Sequence, residues 1–309
     1  VNPEIFALIV PLLAAAVQSG TPVLFATLGE MITERSGTLN LGVEGMMLVG
    51  AFAAFLTCLL TGSAWLGFLT GGLAAALFSC LHGLVTIVFL GNQVVSGLAL
   101  TILGVGLADT LGTPYIGKKV EGFLKYPLPG LSEIPVLGPI LFSQDALVYC
   151  SYLLVPLVWF LFARTRLGTA LDAAGEYPPA AKAAGLSVAK LRWVGLVMGA
   201  FLVGLGGAYL SLAYTHLWTT NLTAGRGWIA VALVIFAFWR PRGAVLGAYL
   251  FGGVMAFQLR VQALGTNLPS SLLLMLPYGL TILALVVANL RGARSGAPGA
   301  LGVNVEPEE

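Results

Sequence analysis

Apolar positions in this 309-residue chain occur as long unbroken runs separated by short polar stretches. The runs fall at about 5–28, 39–60, 64–90, 93–112, 145–162, 191–214, 224–239, 242–260 and 270–290. At ~1.5 Å per helical residue, each can cross or nearly cross a hydrocarbon core about 30 Å thick. The runs do not alternate with a period of two, which favours helices over a barrel. The expected fold is an all-α polytopic membrane protein with about nine transmembrane helices, within a range of 8–10. The run at 224–239 is short and meets its successor through Trp239-Arg240-Pro241-Arg242. Two re-entrant pairs are therefore the alternative to four crossings in the last third.

Composition removes the soluble classes. Apolar residues make up 58% of the chain and charged residues only 9%, against about 25% charged in ordinary soluble domains. A net charge of +2 is too small to point to nucleic acid. Cys58, Cys80 and Cys150 lie in or beside apolar runs without CxxC spacing, so they read as small buried residues rather than disulfides or metal ligands. Glycine is abundant, at 40 residues, and the pairs Gly67/Gly71 and Gly243/Gly247 have the spacing that lets membrane helices approach closely. The opening VNPEIFALIVPLL lacks a basic region ahead of its apolar stretch, so the first span is expected to be retained.

Basic residues set the orientation. Arg164, Arg166, Lys182, Lys190 and Arg192 crowd the linker 163–190 and its edge. Placing that linker in the cytoplasm also places Arg35, Arg240, Arg242, Arg291 and Arg294 there, as the positive-inside bias requires. The stretch 113–143, with Lys118, Lys119 and Lys125, then lies outside as an ordered loop of short pieces. Its GxxxxGKK segment, Gly112 to Lys119, lacks the terminal Ser or Thr of a phosphate loop and contains Pro114, so it is not read as a nucleotide site. In the linker, Leu167 to Ala174 suits a short helix, which Gly175 and Pro178-Pro179 interrupt. A second short helix is expected from Pro179 through Ala184, with Gly185 as its left-handed cap.

Several segments carry a family resemblance. Gly175-Glu176-Tyr177-Pro178-Pro179-Ala180-Ala181 followed by Ala184-Gly185-Leu186 resembles the ATPase-facing loop of ABC-importer permeases. Leu28-Gly29-Glu30, Thr33-Glu34-Arg35-Ser36-Gly37, Asn40-Leu41-Gly42, Glu44-Gly45-Met46 and Asn92 through Leu98 resemble the nucleoside-type subgroup of the branched-chain amino acid and simple-sugar permeases. One departure is Asp172, where the family usually has Arg, which implies a different charge pattern toward the ATPase. The resemblance implies a single permease domain over 1–309, of the vitamin B12/ribose-permease-like type, with an outer loop at 113–143. It also implies a coupling loop at 163–190 and a flexible tail at 292–309. ATPase coupling would fall to Gly175, Glu176, Pro179, Ala180, Ala181 and Gly185.

Polar residues inside the runs have two readings each. Arg35 can pair with Glu30 or Glu34, and Asn40 can cap the second helix. Asn92 and Gln93 can end and begin helices, and their amides also suit ribose hydroxyls and base edges. His82 reads as a helix-packing or interfacial residue, and His216, beside Trp218, reads with Tyr214 as an outer-interface anchor. Under the resemblance, Asn40, Glu44, Asn92 and Gln93 border the substrate pathway.

No catalytic or metal-binding constellation is present in the sequence, and no ion-filter repeat. The resemblance therefore implies a nucleoside importer subunit without cofactors of its own, ATP and magnesium belonging to the partner ATPase. The implied partners are a second permease (self or related), two cytoplasmic ATPases, an extracytoplasmic solute-binding protein, the bilayer and a small-molecule substrate. A simple-sugar permease and an ion-coupled secondary transporter are the alternatives, and the expected location is the bacterial inner membrane.

Overall fold

A computed structural model describes residues 3–263, 265, 272, 273, 275–290 and 296–306. Among the described residues the regular elements are all helices. Helices run α1 Pro3–Arg35, α2 Val43–Thr61, α3 Ala64–Gly83, α4 Gln93–Gly112, α5 Ala146–Arg164, α6 Arg166–Glu176, α7 Pro178–Ala183, α8 Val188–Tyr209, α9 Arg226–Phe236, α10 Pro241–Ala263 and α11 Leu276–Leu290. Wider π turns extend α3 over Leu84–Val88 and α8 over Leu210–Tyr214.

Seven of these helices, α1 to α5, α8 and α10, are long and apolar enough to cross a membrane. Among the described residues the expectation of about nine is corrected to seven; residues 270, 271 and 274 of the last expected run lie outside them. The run at 224–239 forms only the 11 residues of α9, about 16 Å of helix, roughly half a hydrocarbon core. Glycine and loop chemistry ahead of it (Asn221, Ala224 and Gly225 all have positive φ) prevent an earlier start. The last run contributes the 15 residues of α11.

Helices α2 and α8 are the most buried spans. Small residues make that possible. A Cβ on Gly207 would lie 1.9 Å from the Met47 carbonyl, and one on Gly204 2.4 Å from the Gly71 carbonyl. Gly29 and Gly199 bring α1 equally close to α8, each within 2.4 Å of the other's carbonyl on the same test. Backbone-to-backbone approach of this kind supplies the dispersion contacts that associate helices in lipid, where apolar burial adds little. Around this centre, α3, α4 and α5 present large apolar side chains outward, including Leu77, Ile102 and Leu153, each more than 70% exposed. Such a surface suits lipid, not water.

The two ends differ in character. Residues 113–145 close one end with irregular chain pinned by isolated bridges, Lys119 to Leu217 and Lys125 to Asp145. Asp145 caps α5 by accepting from the Leu147 and Val148 amides and from the Tyr209 hydroxyl; its burial raises the carboxyl above its usual range. Trp218, next to the expected anchor His216, belongs to the core. It is fully buried, with its ring 5.1 Å from that of Phe52. The opposite, basic end gathers the α1–α2 turn, the α3–α4 turn, α6, α7 and residues 296–306.

Candidate functional site

The coupling segment folds much as its residues dictate. Thr165 caps α6 by accepting from the Gly168 amide at 3.0 Å. Gly175 does not break α6, which runs on to Glu176. It instead lies against the α1–α2 turn, where a Cβ would meet the Arg35 carbonyl at 2.2 Å. The break comes at Tyr177, the residue before Pro178, which sterics push out of the helical region. Helix α7 ends in two turn-closing bonds, Leu186 N–H to Ala181 O at 3.0 Å and Gly185 N–H to Lys182 O at 2.9 Å. Gly185 has φ +78°, the left-handed cap the sequence implies.

Helix α7 is two-faced. Pro178 and Ala181 are buried, the latter with Ala174 and Val188 in a small apolar cluster. Tyr177, Pro179, Ala180 and Gly185 are exposed, as is Glu176. A short helix with an exposed face of small residues at a membrane protein's basic end is a surface another protein can grip closely.

Arg35 does not pair with Glu30 or Glu34. Its guanidinium makes a bidentate ion pair with Asp172, at 2.7 Å and 2.5 Å, and lies 3.7 Å from the Phe162 ring centroid. Burial pushes the Asp172 carboxyl up while Arg35 pulls it down. The fork geometry is the stronger argument and favours the ionised pair. Asp172, the departure from the family pattern, is thus turned inward onto α1. Glu34 accepts from the Trp239 indole at 2.6 Å, and Glu30 from Asn40 at 3.2 Å.

The four polar residues assigned to the pathway are mostly engaged with backbone. Asn40 accepts from the Gly42 amide at 2.9 Å, so it fixes the turn ahead of α2 rather than capping the helix. Gln93 accepts from the Leu39 amide at 2.7 Å. His82 and Thr101 bond the Leu39 and Leu41 carbonyls. In the irregular segment 37–42 the Leu39 amide and the Leu39 and Leu41 carbonyls are therefore satisfied by side chains of α3 and α4, as backbone away from water requires. Asn92 caps α4 through the Val95 amide and is exposed.

Glu44, 4% exposed, sits at the N-terminus of α9. It accepts from the Thr223 hydroxyl at 2.6 Å, the Gly225 amide at 2.8 Å and the Gly227 amide at 2.6 Å. A carboxylate there meets unpaired N–H groups and the positive end of the helix dipole. The sequence reading missed these partners, although the Gly225-Arg226-Gly227 triplet before an apolar run marks a helix start that admits close approach. It also missed Arg192, 3% exposed, whose guanidinium donates to the carbonyl of Val303 at 2.7 Å and contacts that of Ala300 at 3.5 Å.

The chain is 45% identical over 261 residues to the putative glucose ABC transporter permease protein TsgC13 of Haloferax volcanii, covering 83% of this chain and 79% of that one. It is 35% identical to the guanosine ABC transporter permease protein NupQ of Bacillus subtilis, over 97% of both chains. It is also 35% identical to the nucleoside ABC transporter permease protein NupC of Lactococcus lactis, over 92% and 93% of the two chains. No solved structure matches. Residues 12–285 match the family described as branched-chain amino acid transport system / permease component. The chain belongs to that family: it is the transmembrane, non-catalytic permease component of an ABC importer, a multi-pass protein of the cytoplasmic membrane.

Proposed function

We propose that this permease carries a neutral polyhydroxylated solute, a simple sugar in the first instance. The relative at 45% identity is named for glucose. A nucleoside is the second reading, favoured by two relatives aligned over more than nine-tenths of this chain. The observation that carries the shared part is the state of the interior charges. Glu30, Glu34, Glu44 and Arg192 are buried and each is bonded to protein groups. Each already holds a protein partner that a charged solute would have to displace, whereas hydroxyl-rich molecules need only donors and acceptors.

In this reading the pathway runs beside the starts of α2, α4 and α9, between this chain and a second permease, in the vitamin B12/ribose-permease-like manner. Asn92 is exposed and available to solute, while Asn40, Glu44 and Gln93 shape the wall by holding its irregular backbone. Two ATPases grip the linker helices, one on each permease, in this chain through Glu176, Pro179, Ala180 and Gly185, with Gly175 and Ala181 seating α7. An extracytoplasmic binding protein delivers solute to the 113–143 end. ATP-driven closure of the ATPases then biases the permease between two accessible states.

The test is uptake into proteoliposomes holding the permease, its ATPases and binding protein, with labelled hexose, pentose and nucleoside offered separately. ATP-dependent accumulation of a sugar supports the first reading, and accumulation of nucleosides alone moves the assignment to the second. Uptake that persists without ATPases and collapses with an ion gradient would sink both in favour of secondary transport.

A further inference from the structure

Residues 296–306, within a stretch the sequence reads as a flexible tail over 292–309, lie across the basic end and bond to α4, α6, α7, α8 and the α1–α2 and α3–α4 turns. The Ala300 amide donates to Gly175 O at 2.8 Å and the Gly299 amide to the Glu176 carboxylate at 3.2 Å, both on α6. Lys182 of α7 donates to Glu306 O at 2.7 Å, and Val305 packs on the Ala174, Ala181 and Val188 cluster. The Gly302 amide reaches Gly37 O of the α1–α2 turn at 3.3 Å. Asn304 donates to Leu90 O at 2.5 Å and Gly91 O at 3.2 Å in the α3–α4 turn, and accepts from Gln93 at 3.1 Å. Arg192 of α8 holds the middle of the segment through Val303 O.

Irregular chain does not take up such contacts by apolar attraction alone. Ordering a residue costs about 1–2 kcal/mol of backbone entropy, and this segment is rich in glycine, which loses most. What offsets that cost is the set of hydrogen bonds along the segment, several of them charge-assisted. The tail connects α6 and α7, where a partner would push, to the two turns from which α2 and α4 begin. Gln93 extends the link, because its other end accepts from the Leu39 amide.

We propose that residues 296–306 form a transmission strap, which makes the coupling helices move together with the starts of α2 and α4. Arg192 and Asn304 are its positioning residues: Arg192 sets the strap's height against α8, and Asn304 fastens its far end. This rests on the coupling role proposed for α6 and α7, but its structural half is independent of any ATPase.

The experiment compares the full chain with one truncated after Ser295. In the purified permease alone, amide hydrogen exchange at residues 175–186 and 37–42 should rise on truncation. In proteoliposomes with the ATPases and binding protein, ATP hydrolysis should continue while solute moved per ATP falls by about fivefold or more, the lower end of ordinary coupling between sites. Where the truncated chain aggregates, Asn304→Ala decides, since it severs only the bonds to Leu90, Gly91 and Gln93. Asn304→Gln should restore part of the coupling. An unchanged ratio of uptake to hydrolysis, or unchanged exchange in the coupling segment, overturns the strap. If the full chain shows no ATP-driven uptake at all, the importer reading fails, and the exchange measurement alone judges whether the strap holds.

Discussion

Two regions of this protein hold irregular backbone in place with buried charge, and they use opposite signs. Ahead of α9, the Glu44 carboxylate gathers a hydroxyl and two amides, all within 2.8 Å. At the basic end, the Arg192 guanidinium gathers carbonyls of residues 300 and 303, one at 2.7 Å and the other at 3.5 Å. The first cluster saturates its ion at a helix terminus, where geometry leaves little slack. The second leaves Arg192 Nε without a partner and one contact long. Donor-rich helix ends make closed, unyielding anion seats, whereas a cation reaching across to an extended segment makes a fastening that can be shifted at lower cost. Stability should therefore concentrate at the first region and adjustability at the second.

The sharpest way to break this contrast is at Glu44. Replacing it with Ala leaves Thr223, Gly225 and Gly227 with unpaired buried donors, which should cost about 3–5 kcal/mol. Thermal unfolding in detergent should show the loss, with Glu44→Gln falling between, since its amide still accepts at one atom. A Glu44→Ala protein that unfolds with the wild type would remove the distinction between the regions. At the basic end, Gly185→Val should cost only about 1–2 kcal/mol of left-handed strain, because nothing lies within 4 Å of a Cβ there. Its effect should be confined to exchange in α7 and to ATP-driven uptake, and Gly185→Asn should be milder. Unfolding of the whole chain by Gly185→Val would mean that the basic end bears more of the fold than argued. The smallest effect belongs to Arg35 and Asp172, whose side chains are 21% and 34% exposed. A double-mutant cycle with Ala at each should give a coupling of about 1 kcal/mol. A coupling as large as the Glu44 loss would place an unyielding anchor at the basic end too.

Much of the fold was legible because lipid-facing helices need long apolar runs, and seven runs became spanning helices. The count failed at 224–239 because hydropathy measures apolar content, not where a helix can begin. The Gly185 cap and the Pro178 break were legible because backbone restrictions act within a few residues. The partners of Glu44, Arg35 and Arg192 were not, since each lies far along the chain: 179 residues separate Glu44 from Thr223, 137 separate Arg35 from Asp172, and 111 separate Arg192 from Val303. Sequence alone marked those charges as expensive, but only the fold shows which peptide groups relieve the expense.

The glycine contacts joining α1, α2 and α8 have a mechanical consequence. Where peptide planes touch without side chains between them, sliding by even an ångström drives a carbonyl into the neighbouring backbone, and no rotamer can absorb it. The three helices must then translate and tilt as a single stiff keel. Gly45, Gly104 and Gly227 seat α4 and the start of α9 on α2 in the same way, so alternating access has to be accommodated at the flank through α5, one of the two least buried of the seven spans. Distance measurements between probes on α2 and α8 should stay constant through the ATP cycle, while distances from either to α5 change.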